Sequence, residues 1–202
     1  LTPETKTSDY FMGEDGFVWF HGVIEDIQDP KQAGRVRVRC VGFHTDSKVD
    51  IPTADLPWSA VMLPTTSAAV SGIGASPHGL RTGSHVVGFF RDGRDCQYPV
   101  IMGVVAGIPE EAADVKLGFN DPSGEFPRDD YLGEPDVNRL ARSTETIPEP
   151  TLSKQNRALT DVPVAITGET WNELATDPQQ SYPENLVFET PAGHIIELDG
   201  SS

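Results

Sequence analysis

Three groups of residues have the types and spacing that chemistry could use. Glu110, Glu111 and Asp114 place three carboxylates within five positions, and glycoside cleavage needs two carboxylates held across a rigid cleft. One of the pair must also sit in an apolar setting that raises its pKa. The stretch around these residues offers neither helix nor apolar wall, so they read as solvated charges. Gly72, Gly74 and Gly79 resemble the spacing of a phosphate-cradling loop. However, Ser71-Gly72-Ile73-Gly74-Ala75-Ser76 lacks the Lys that would reach a phosphate, and no helical pattern follows. A shaped contact loop is the better reading. Arg35, Arg37 and Arg39 form the one basic row, and with Trp19, Phe20 and Trp58 they could hold a single nucleic-acid strand by charge and stacking.

The remaining candidates are weaker. His21, His44, His78, His85 and His194 show no paired spacing of the kind that metal sites use, so no metal or other cofactor is expected. Cys40 and Cys96 lie far apart in the chain and are expected as two buried thiols. No catalytic residue emerges, and the chain is expected not to be an enzyme.

The net charge of -16 speaks against a phosphate-chain partner, because such binding relies on clustered Lys and Arg displacing counterions. The charge is unevenly placed. Phe17 to Ile108 carries eight acids and eight bases, whereas 109–184 carries sixteen acids and six bases. No run of eighteen apolar residues exists and the first fifteen residues lack the order of a signal peptide, so synthesis in the cytoplasm and no lipid binding are expected.

The elements that would position these residues are strands. Phe17 to Gln28 is aromatic and β-branched, and Asp29-Pro30-Lys31-Gln32-Ala33-Gly34 supplies a turn before Arg35 to Val41. In that second run Val36, Val38 and Cys40 alternate with the three arginines, which predicts one buried face and one wet, basic face. Trp58 to Leu63, between two prolines, is a third strand. Ser84 to Phe90 and Tyr98 to Val105 flank Asp92-Gly93, a dipeptide suited to a hairpin turn. Five strands in about ninety residues suit an all-β, five-stranded Greek-key barrel of the OB type over 17–108, after a tail at 1–16.

Beyond the barrel the texture changes. Nine prolines in 109–184 leave room only for short helices, so the segment is expected as an extended, acidic, Pro-rich arm. With so little apolar surface it would be disordered alone, and order would imply that partner subunits hold it. Phe119, Phe126, Tyr131, Leu132, Val137, Leu140 and Trp171 are the apolar residues expected to anchor it, with Tyr131, Leu140 and Trp171 the chief candidates. In 185–202, Leu186 to Thr190, the turn Pro191-Ala192-Gly193, and His194 to Leu198 form a strand, turn and strand. A lone hairpin is barely stable in water, so this reads as the first rung of a larger, multi-chain β-structure. Gly200-Ser201-Ser202 has the texture of a cloning remnant, and the natural chain is expected to continue.

Several of these stretches, in order, resemble the central spike proteins of T-even-type phage baseplates, the family of the baseplate hub subunit and tail lysozyme. The carriers are Trp19-Phe20-His21-Gly22-Val23-Ile24-Glu25-Asp26, Asp29-Pro30 with Gly34 to Arg39, Ile51-Pro52-Thr53, Leu56-Pro57-Trp58 and Pro64 to Gly74. Gly133 to Arg142 and Tyr182-Pro183 with Gly193 to Asp199 extend the likeness along the chain. The resemblance implies a virion protein: a homotrimer whose OB domains meet a trimeric hub ring and whose strands below intertwine into a β-helix or β-prism needle. On that basis Ser67, Ala68, Ala69, Val70, Ser71, Gly72, Ile73 and Gly74 are expected at the hub contact, and Leu186, Phe188, Ile196 and Leu198 at the trimer contact. The chain departs from the family in one respect, since 109–184 is too short and too polar for the lysozyme domain that family members insert there. The expected function is structural, joining a cell-puncturing needle to the hub and transmitting contraction force. The rival expectations are the spike of a bacterial secretion system or contractile toxin particle, and an OB-fold single-strand binder.

Overall fold

A computed structural model describes residues 17–75, 78–142, 162–171 and 182–198. The expected tail at 1–16 and Ser76 of the glycine-containing loop lie outside the described residues. Two compact units divide between Asp136 and Val137.

Five strands build the first unit: β1 (Trp19–Asp26), β2 (Val36–Cys40), β3 (Trp58–Val61), β4 (His85–Phe90) and β5 (Pro99–Val104). They close into a barrel in the order β1-β2-β3-β5-β4, with β3 and β5 parallel and the other pairs antiparallel. The all-β, five-stranded barrel expected from the alternation is therefore what the chain forms, and closure leaves no strand of it with an open edge. Inward-facing Phe20, Ile24, Val36, Val38, Cys40, Val86, Phe90 and Ile101, joined by Leu80 from the long β3–β4 loop, make the core. Fully burying each of the larger apolar side chains contributes about 1.5–3 kcal/mol before entropy is counted. Phe20 and Phe90 pack tilted, 4.8 Å between centroids.

The β1–β2 turn is held by Asp29, whose carboxylate accepts from the backbone N–H of Lys31, Ala33 and Arg35 and from the Arg35 guanidinium at 2.7 Å. The hydrogen bond from Arg35 is the main reason its carboxyl lies well below the usual range. The β4–β5 connection differs from the tight turn expected at Asp92-Gly93. Asp92 has φ -94°, which a type I′ turn does not allow, and a short 3₁₀ turn spans Gly93–Asp95. The positive φ angles fall on Gly93 and Cys96 instead, while the Asp92 carboxylate accepts from the N–H groups of Gln97 and Tyr98.

Two small ribbons follow in the second unit, β6 (Val162–Pro163) with β7 (Thr170–Trp171), and β8 (Leu186–Glu189) with β9 (Ile195–Leu198). The β8–β9 register pairs Leu186 with Leu198 and Phe188 with Ile196. All four side chains thus share one face, and all four are more than half exposed. Within the same unit, buried Asn185 donates to the carboxylate of Glu197 and to the carbonyl of Leu140.

Candidate functional site

The three arginines of β2 and its approach do not form the wet basic face that alternation predicts. Arg35 is paired with Asp29. Arg37 donates to the carbonyls of Thr53, Ala54 and Leu56 and lies 4.5 Å over the Trp58 ring. Arg39 is entirely buried and forms a two-point ion pair with Glu25, Nε to Oε1 at 2.6 Å and Nη2 to Oε2 at 3.1 Å. Both faces of β2 are covered, the inner by the core and the outer by the loop at 45–56 and by residues 118–119. The basic row that a single nucleic-acid strand would need is therefore occupied within the protein. A periodicity argument sees which side chains share a face but not what covers that face.

Around the ion pair both charged groups are met by further partners. Arg39 also donates to the carbonyls of Thr45 and Ile51, both at 2.7 Å. Glu25 accepts from the Thr53 hydroxyl at 2.7 Å and from the Phe119 N–H at 3.0 Å. Gly118 rests on the Arg39 side chain so closely that a Cβ there would lie 2.5 Å from Arg39 Cδ. Its N–H donates to the carbonyl of Asp46, and the bridge Ser47–Leu117 and a bond from Lys48 Nζ to the Val115 carbonyl complete the seam. Nearby His44 accepts the Cys40 N–H on Nδ1 at 2.9 Å, and burial, aided by Arg39, lowers its pKa.

A second buried carboxylate lies further along. Asp121 is fully buried and accepts from the hydroxyl and N–H of Ser123 and from the N–H groups of Glu125 and Phe126, all within 3.0 Å. Burial pushes its pKa up, but the hydrogen bonds from Ser123, Thr82 and Phe126 together outweigh burial and hold the carboxyl below the usual range. Residues 109–136 thus lie on their own barrel, whereas composition implied that partner subunits would hold them. What composition missed is that two buried carboxylates and a glycine contact can substitute for apolar area.

The glycine-containing loop is shaped rather than slack. Val70 and Ile73 exchange backbone hydrogen bonds across Ser71-Gly72, whose φ angles of +52° and +76° are those a type I′ turn demands. At its base Ser67 Oγ accepts from the Ala75 N–H and donates to the Ala75 carbonyl. Val70 and Ile73 stand at the tip, 60% and 65% exposed. No Asp, Glu, Lys or Arg occurs between Pro64 and Leu80. Elsewhere on the barrel surface Trp19 and His21 meet edge to face, 5.7 Å between ring centroids, and, with Phe20 and Val41, line a shallow depression.

Of the candidate anchors, Leu140 is buried, Tyr131 is half-buried under Arg128, and Trp171 is half exposed. Glu110, Glu111 and Asp114 show no apolar cleft around them; both glutamates are exposed. Among the described residues no cluster of His, Cys, Asp and Glu could hold a metal ion, and no helix is long and apolar enough to cross a membrane. Cys40 and Cys96 are free thiols packed against the same core, but only Cys40 is buried and Cys96, at the end of the β4–β5 connection, is half-buried; burial is the main cause that raises both thiol pKa values.

Comparison with known proteins bears on the whole arrangement. The family model described as the Gp5 N-terminal OB domain matches residues 42–184. Protein Gp5 of Vibrio phage KVP40 is 39% identical over 219 aligned residues, covering 94% of this chain and 52% of that protein. The pre-baseplate central spike protein Gp5 of Enterobacteria phage T4 is 43% identical over 132 residues, covering 63% of this chain and 22% of that protein. The chain spans about half the length of the first relative and less of the second.

Proposed function

Because this chain belongs to the Gp5 N-terminal OB domain family, we propose that it is a structural part of a phage baseplate central spike, the part that fixes the spike to the baseplate hub. The observation that carries this reading is the 39% identity to a Gp5 protein across nearly the whole chain. The barrel suits the role, since a closed five-stranded sheet with a satisfied polar seam is a rigid body that can carry load without a catalytic step. The protein's work is then mechanical, at a place in the virion tail.

Two contacts follow from the proposal. The Ser67 to Gly74 finger would meet the hub ring: its tip is apolar, uncharged and held by its own hydrogen bonds, so docking orders little that is not already ordered. The β8–β9 ribbon would begin a homotrimeric β-structure, with Leu186, Phe188, Ile196 and Leu198 covered by the strands of two other copies. Tyr131, Leu140 and Trp171 would hold the intervening chain.

Co-expression with the hub protein of the same phage, followed by electron microscopy, tests the reading. A stable complex with three copies of each chain, in which the finger touches the ring, is the expected result. A chain that stays monomeric and unbound beside an assembled ring would overturn it.

A further inference from the structure

The barrel does not need residues 109–136 to close. Its five strands pair only with one another, and among the described residues the segment adds a single bridge, Ser47–Leu117, to the sheet's surroundings. The segment holds on instead by separate points. Glu25 takes the Phe119 N–H, Asp46 takes the Gly118 N–H, and Lys48 reaches the Val115 carbonyl. Gly83 of the β3–β4 loop, at φ +85°, lies against Phe126 and Asp121, whose carboxylate gathers the N–H groups of Ser123, Glu125 and Phe126 into one turn. At the far end the chain is tied back to its own start: Gly107 and Asp136 exchange two hydrogen bonds, and Gly133 donates to the Pro109 carbonyl.

We propose that residues 109–136 are a strap that opens as a unit while the barrel stays closed, with Glu25 and the Asp121-centred turn packed on Gly83 as its two locking pins. Its opening is cooperative. Opening breaks a handful of point contacts and lets water reach the Glu25–Arg39 pair, while the core side chains and all five strand pairings are untouched. Both pins lie on one route, so losing one loosens the other. Chain beyond Asp136 is then leashed to the barrel by the strap, and release would free up to roughly 90 Å of chain without unfolding the barrel. This inference stands apart from the baseplate reading, because it concerns the chain in isolation.

Hydrogen exchange of the full chain, read by mass spectrometry under native conditions, tests it. Asp121→Asn is the first variant: the amide keeps one oxygen for the Glu125 and Phe126 N–H groups but turns its N–H₂ toward the Ser123 N–H, and it leaves the Glu25–Arg39 pair in place. Peptides covering 114–126 should then exchange at least about tenfold faster, while β2 and β5 peptides change less than about twofold. Ser123→Ala, which removes one hydroxyl donor to Asp121, should give a smaller shift in the same peptides. Strap and barrel peptides speeding up together in both variants would show one cooperative body and overturn the proposal. Unchanged exchange across 114–126 in both would overturn it equally.

Discussion

Residues 109–136 and the β8–β9 ribbon both lack neighbours in a large sheet, yet they deal with that lack in opposite ways. The first lies on the barrel, fastened by Glu25, by the Gly118 contact with Arg39 and by the Asp121 turn against Gly83, and most of its acids face water. The second turns Leu186, Phe188, Ile196 and Leu198 outward on one face. Polar fastening is specific and short-ranged, and here it finds its partner within the same chain; an uncovered apolar face is satisfied by any matching apolar surface. A segment can therefore be poor in apolar residues and still be ordered, provided its few buried polar groups are all paired.

The comparison breaks first at Glu25→Gln. Removing one charge of a fully buried pair leaves Arg39 uncompensated, and a loss of about 3–5 kcal/mol in unfolding free energy by urea titration is expected. A loss under about 1 kcal/mol would mean that the seam is ornamental. Gly118→Ala comes next, since its Cβ would stand 2.5 Å from the Arg39 side chain. The strap must shift, costing about 1–3 kcal/mol on the same titration.

Asp121→Asn should cost about 1–3 kcal/mol at neutral pH. Its effect should also depend on pH in a defined direction. The folded carboxyl titrates below its unfolded value, so its stabilisation is present above about pH 4 and fades as pH falls through the lower folded value. The carboxamide that replaces it cannot titrate, so the acid limb of thermal stability should be flatter in the variant. His44 gives a smaller effect higher on the scale. Its folded pKa is lowered, so stability is full above about pH 6.5 and declines as the pH drops toward the folded value. His44→Ala should remove that decline and cost about 1 kcal/mol at pH 8, through the Cys40 N–H left without its acceptor.

Phe188→Asp should do least to the barrel and most to assembly. A surface change in a separate unit should leave barrel unfolding within about 0.5 kcal/mol of wild type. Self-association of the chain in light scattering, where wild type shows it, should be lost. A barrel destabilised by this variant would erase the contrast between the two regions.

Much of the barrel was legible because strand alternation, turn residues and bounding prolines are local signals. Val36, Val38 and Cys40 could be assigned inward from their spacing alone, and they are core residues. The β4–β5 turn was misjudged, since Asp92-Gly93 has the right types but the Asp92 side chain reaches on to Gln97 and Tyr98. The seam was legible only in part. An acid directly after the apolar pair Val23-Ile24, Glu25, on a strand paired with the one bearing Arg39, was a cross-strand signal that could have been read from the sequence.

By itself the sequence determined the all-β class, the inward face of β2 and the uncharged finger, because these depend on residue types a few positions apart. Only the tertiary structure decided that the outer face of β2 is buried and that 109–136 lies on its own barrel. The physical reason is distance along the chain. Glu25 and Phe119 meet across a separation of 94 positions, and whether an arginine is wet or buried depends on what such a distant segment covers.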